Sequence, residues 1–123
     1  MKKILFLMVA LVAMIACDDL KQPSFTKAAI KSESFVSVRM KYPAEVEFDG
    51  DYRGSETGPN EYNVLQKFTA KNAFGVKSSY IYKINMLFKG GEWTEQSSWT
   101  YDKLIIEDLQ TGEQYKFYSP DDK

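Results

Sequence analysis

The chain has 123 residues, 44% of them hydrophobic and 15% aromatic, with 16 basic and 17 acidic side chains and a net charge of −1. It contains one cysteine and no histidine, which excludes an internal disulfide, a Cys/His zinc centre and the usual Ser-His or Cys-His nucleophile systems. No basic block or stripe runs along the sequence, so nucleic acid is not an expected partner.

The chain starts with Met1-Lys2-Lys3 and continues as an unbroken apolar run from Ile4 to Ala16. At 13 residues the run is shorter than the roughly 20 needed to cross a bilayer as a helix. A basic start, an apolar stretch and a small residue at a boundary match a cleaved secretory signal peptide. A helix buried in the mature fold is the other reading, but the abrupt change of composition at "CDDLKQPS" favours a leader over 1–16.

The end of that segment, Met14-Ile15-Ala16-Cys17, resembles the lipobox of bacterial lipoproteins, with Met14 standing where leucine is most common. The resemblance implies that the Cys17 sulfur receives a diacylglyceryl group, that signal peptidase II cleaves before it, and that the new amino group is acylated. More than one chain is needed physically, because each buried methylene contributes about 0.8 kcal/mol and a single chain binds reversibly. The implied partner is a membrane, held through the lipid on Cys17, and the implied location is the bacterial cell envelope. In one branch of the family an aspartate after the cysteine signals inner-membrane retention; in another, an acidic cluster there signals export to the outer-membrane surface. Asp18-Asp19 fits both, with the outer membrane favoured.

From Cys17 to Lys123 there are 107 residues, enough for one domain of ordinary size. Loss of Lys2 and Lys3 leaves 14 basic against 17 acidic residues, a net charge of −3. Residues 17–25 read as the lipidated cysteine and a polar tether, and 26–123 as a single domain.

Apolar residues at Phe25, Ala28/Ala29, Phe35/Val36 and Met40 recur at helical spacing, with a weak step at Ser32. Ser24 or Thr26 is the expected N-cap, and Pro43 enforces a stop. The spacing predicts one amphipathic helix from about 26 to 41. Beyond Pro43 the period becomes two. A short strand is predicted in "EVEFDGDYRG", a loop in "SETGPN", and strands in "EYNVLQKFTAKN" and "VKSSYIYKINMLF", joined by the turn "NAFG" at 72–75. "KGGEW" breaks the chain, "WTYDKLIIED" is a further strand, and "LQTGE" turns it into "QYKFY". The expected fold is α+β: one N-terminal amphipathic helix packed on a four- to five-stranded antiparallel β-meander.

Pro43 with Phe48, then Ala70-Lys71-Asn72-Ala73-Phe74-Gly75, then Gly91-Glu92-Trp93, form a succession similar to small uncharacterised domains of bacterial secreted and lipid-anchored proteins. That resemblance implies a helix-plus-sheet module with an N-x-F-G turn between two long strands. It implies no catalytic residues.

Among candidate sites, the run from Trp93 to Tyr101 is the most suggestive. Trp93, Trp99 and Tyr101 bracket a polar segment that could contact a glycan or an envelope protein; the alternative is that the rings fold back over the sheet edge. Tyr80 and Tyr82 share a face with Ile84 and Met86, as core or as a pocket wall. Asn72 is expected to satisfy backbone donors in its own turn. Residues 49–54 mimic the start of a calcium loop, but Arg53 and Asn60 occupy ligand positions, so no metal is expected. The carboxylate pairs Glu107-Asp108 and Glu45/Glu47 show no spacing that sets two acids across a cleft. Neither a phosphate-cradling glycine loop nor a dinucleotide fingerprint occurs, so no cofactor is expected.

The reading is a lipid-anchored, non-catalytic binding or structural module. The alternatives are a small anchored inhibitor or immunity-type protein using an acidic loop at 49–61, or a carboxylate-based hydrolase.

Overall fold

The structure, a computed structural model, describes residues 20–122. The leader over 1–16, Cys17, Asp18-Asp19 and Lys123 lie outside the described residues.

An α-helix, α1 (Phe25–Ser37), precedes all the strands. Ser24 is its N-cap: the backbone there is extended, and the Ser24 hydroxyl accepts from the Lys27 amide at 3.3 Å. Ala28, Ala29, Ser32 and Val36 are fully buried against the sheet, the stripe that the spacing predicts. The helix ends at Ser37, four residues before the expected 41. Pro43 opens a 3-10 turn, Pro43–Glu45, so Tyr42 must be non-helical (φ −121°, ψ 76°). The chain therefore turns over 38–41, and the Arg39 and Met40 amides donate three residues back, to Val36 and Ser37.

The strands are β1 (Glu47–Phe48), β2 (Arg53–Gly58), β3 (Glu61–Lys71), β4 (Lys77–Phe88), β5 (Trp99–Asp108) and β6 (Gln114–Phe117). All pairings are antiparallel, in the order β1-β3-β4-β5-β6, with β2 also on β3. The α+β class stands, but with six strands instead of four or five. The extra strand comes from splitting the first edge. Phe48 faces Phe68 and Arg53 faces Leu65, so four residues, 49–52, oppose only two on β3. This wide bulge is stitched by the Asp49 amide to the Lys67 carbonyl (3.1 Å) and the Gly50 amide to Gln66 Oε1 (2.9 Å).

The predicted loop at 55–60 is mostly strand. Its residues are poor strand formers, but β3 supplies a hydrogen-bonding partner along their length, and only Pro59-Asn60 turns. Glycine is required at Gly54 (φ 134°), where a Cβ would fall 1.9 Å from the Asn63 carbonyl oxygen.

One face of the sheet carries the core: Tyr62, Val64, Phe68, Tyr82, Ile84, Met86 and their neighbours are at most 3% exposed. α1 packs on β2, β3 and β4 of that face. Its start lies at one end of the sheet, where the Trp93 amide donates to the Leu20 carbonyl (2.9 Å) and Lys31 Nζ to the Thr94 carbonyl. Its far side leads to the opposite end, where Lys41 Nζ donates to the Ala73 carbonyl (3.3 Å). The twelve residues of β4 separate the two ends by about 40 Å at about 3.4 Å per residue. The end where the chain enters is called proximal below, and the end with the 72–76 turn distal.

Candidate functional site

Of the aromatic residues singled out from sequence, Trp99 and Tyr101 are each 2% exposed. Both open β5 and point into the core. Trp99 packs on Phe88 at 4.8 Å and on Tyr62 at 6.2 Å, and Phe35 meets Tyr101 edge-on at 5.1 Å. Trp93 is half-buried under the Lys27 ammonium, 5.4 Å from its ring centre, and its carbonyl accepts from the Trp99 indole at 2.9 Å. The three residues do converge, but as the lid and lining of the proximal core, and Trp99 and Tyr101 present no ring to a ligand. Cys17 lies outside the described residues.

A polar network bridges helix and sheet beneath the bulge. The Gly50 amide donates to Gln66 Oε1; Gln66 Nε2 donates to the Tyr82 hydroxyl (2.9 Å) and to Glu33 Oε2 (3.3 Å). Tyr82 in turn donates to Ser32 Oγ (2.8 Å), and Ser32 donates to the Ala29 carbonyl (2.6 Å). The Tyr52 hydroxyl donates to Glu33 Oε1 (3.5 Å). The weak step of the helix, Ser32, is thus a polar lock. Burial pushes the Tyr82 phenol up, out of titration at any ordinary pH. Burial also raises the Glu33 carboxyl, against the opposing hydrogen bonds from Gln66 and Tyr52. The network is directionally complete, with every donor spent, so it fixes the helix on the sheet and leaves no group poised to attack a substrate.

The distal end is different. Past the helix, the distal end of the sheet holds a cleft of about 270 Å³. Its floor is formed by Met40, Tyr115 and Phe117 over the buried Tyr80 and Ile106, with the Arg39 guanidinium 4.1 Å from the Phe117 ring centre. One wall carries Lys41, Lys71 and, on the rim, Phe74, which is 90% exposed. The opposite wall carries Asp108 and Glu113. Asn72 fixes the Phe74 side, as its sequence context predicts: Oδ1 accepts from the Phe74 amide (2.9 Å) and the Val76 amide (3.1 Å). Asp108 does the same for the β5–β6 turn, accepting from Gln110 (2.8 Å) and Thr111 (3.3 Å). Its Oδ1 is thereby occupied.

Lys71 pairs with Glu45 at 3.1 Å, and Glu113 accepts from the Tyr115 hydroxyl at 3.0 Å, a bond that raises the Tyr115 phenol. Burial, with the Asp108 charge second, raises Tyr80. An apolar floor between oppositely charged walls suits an apolar side chain carried on a polar strand or turn.

Tyr80, Asn72, Asp108 and the 70–75 motif drew attention in sequence, but each for a separate reason and none as part of one cleft; Lys41, Glu113, Tyr115 and Phe117 were not singled out as site residues. The available signal was a phenylalanine inside "NAFG", since a ring in so short a turn has no chain to fold back on.

Among the described residues, no cluster of three or more Cys, Asp or Glu could hold a metal ion, and no helix is long and apolar enough to cross a membrane. No protein-family model, curated protein or solved structure matches the chain.

Proposed function

We propose that the protein is a lipid-anchored module of the bacterial cell envelope that works by contact, offering its distal cleft to a partner. The observation that carries the contact reading is Phe74, 90% exposed on the rim of an apolar-floored cleft at the end of the sheet away from the entering chain. An isolated exposed ring needs no explanation, but one beside a cleft lined by exposed Tyr115, with exposed Val76 in the same turn, makes a patch of the kind that marks interaction sites. The anchor rests on the leader and lipobox pattern ending at Cys17, with the outer membrane favoured. An envelope protein suits the cleft better than a glycan, because the proximal indoles that would stack on sugar rings are folded inward.

The inhibitor reading loses its support, since most of the acidic segment over 49–61 is bulge and strand on β3. Hydrolytic chemistry gains none: Asp108 and Glu113 stand on one wall of the cleft, not facing each other across it, and Asp108 Oδ1 holds its own turn.

Two measurements test the proposal. Fractionation of a Cys17→Ser protein is expected to release it from the membrane pellet, and full retention there rejects the anchor. A photo-crosslinking side chain at Ala73 is expected to capture a defined protein in intact cells, whereas one at Lys83, on the open sheet face, is not. Equal capture at both positions rejects the cleft.

A further inference from the structure

The distal end carries a knob and a hole on one surface. The knob is the Phe74 ring; the hole is the cleft beside it. A cavity of roughly 150 Å³ is enough to hold benzene, and the cleft offers about 270 Å³ over an aromatic and aliphatic floor. Phe74 does not fill it within its own chain: Asn72 holds the backbone of the turn, and the ring stands 90% exposed at the rim.

The charges follow the same division. Lys41, whose ammonium meets the Ala73 carbonyl and lies over the Tyr42 ring, stands on the knob side. Glu113, whose carboxylate accepts from the Tyr115 hydroxyl and whose amide donates to Thr111 Oγ1, stands across the cleft. A surface that places a knob beside its own hole, and a cation opposite an anion, is complementary to itself under a two-fold rotation. A two-fold contact also closes after two copies, whereas a head-to-tail contact would leave a further knob and hole open.

We propose that the distal end pairs two copies of this chain. The Phe74 ring of each copy enters the cleft of the other, and Lys41 of each meets Glu113 of the other. Tyr42, Val76 and Leu109, all exposed in the single chain, are covered at the seam. This inference rests on the reading of the distal cleft as a contact surface and names its partner.

The test is sedimentation equilibrium of the full chain in detergent micelles, with every variant at the same protein-to-micelle ratio so that shared micelles contribute equally. The wild type is expected to dimerise. Phe74→Ala is expected to weaken association at least tenfold, as loss of a buried aromatic anchor does, and Phe74→Leu to retain part of it. Lys41→Glu and Glu113→Lys are each expected to be monomeric alone and to dimerise when mixed, because the mixed pair restores both cross-contacts. A monomeric wild type, Phe74→Ala association equal to wild type, or a mixture no stronger than its components overturns the proposal. Crosslinking from Ala73 separates the two levels. Capture of a different protein, never of a second copy, overturns self-pairing and leaves the contact reading standing; capture of nothing overturns both.

Discussion

The two ends of the sheet both carry aromatic residues next to a loop, and they treat them oppositely. At the proximal end the connection from β4 to β5 spans ten residues, 89–98, long enough to bend back. Trp93 half-buries itself, and Trp99 reaches the core through its bond to the Trp93 carbonyl. At the distal end the connection spans five residues, 72–76, with its amides tied to Asn72, and Phe74 is left outside. Aromatic content alone does not decide exposure. The length and internal hydrogen bonding of the loop do.

Removing a ring from each end is the widest test of that contrast. Trp99→Ala should cost about 3–5 kcal/mol in urea unfolding, the usual loss for a buried large aromatic. Phe74→Ala should stay within about 0.5 kcal/mol in the same measurement at protein concentrations dilute enough to keep the chain monomeric, as exposed positions do. Similar costs at the two sites would erase the distinction between the ends.

Next in size is the lock between them. Tyr82→Phe deprives Gln66 Nε2 and Ser32 Oγ of a buried partner and should cost about 1–3 kcal/mol. A cost near zero would mean that packing alone seats the helix.

The smallest expected effect is a pH dependence. Burial raises the Glu33 carboxyl above its ordinary 4.5, so the folded state holds that proton more tightly than the unfolded chain. The stability this contributes is fully present below the unfolded value and is lost as pH rises through the higher folded one. Glu33→Gln removes the titration. Its melting temperature, relative to wild type, should therefore rise between about pH 4 and about pH 7. A difference that is flat or falls over that range would show that the hydrogen bonds from Gln66 and Tyr52 outweigh burial.

Much of the fold was legible in the sequence. The long alternations placed β3, β4 and β5 within a residue or so, because each strand buries one face and wets the other. The Ser24 cap and the Asn72 turn followed from side-chain chemistry local to them. The end of the helix was legible only in part, because residues 38–41 obey one local constraint and one distant one. Pro43 forces Tyr42 out of the helical region, and the Arg39 guanidinium is drawn to the carbonyls of Ser119, Pro120 and Asp122. β2 was hidden because partner pairing, not propensity, makes it a strand. The cleft was hidden for a related reason. Its walls come from 39–41, 71–74 and 108–117, and only the sheet order brings them together.

The split first edge has a consequence for behaviour at high local concentration. A continuous outer strand beside the eleven residues of β3 would present a long row of unpaired backbone groups, the template on which amyloid-like stacking grows. Here that border is cut into pieces of two and six residues by the bulge over 49–52, and the longer piece carries two glycines and two opposite charges. The opposite border, β6, is only four residues long. Short, interrupted border strands such as β1, β2 and β6 blunt edge-to-edge stacking of crowded copies.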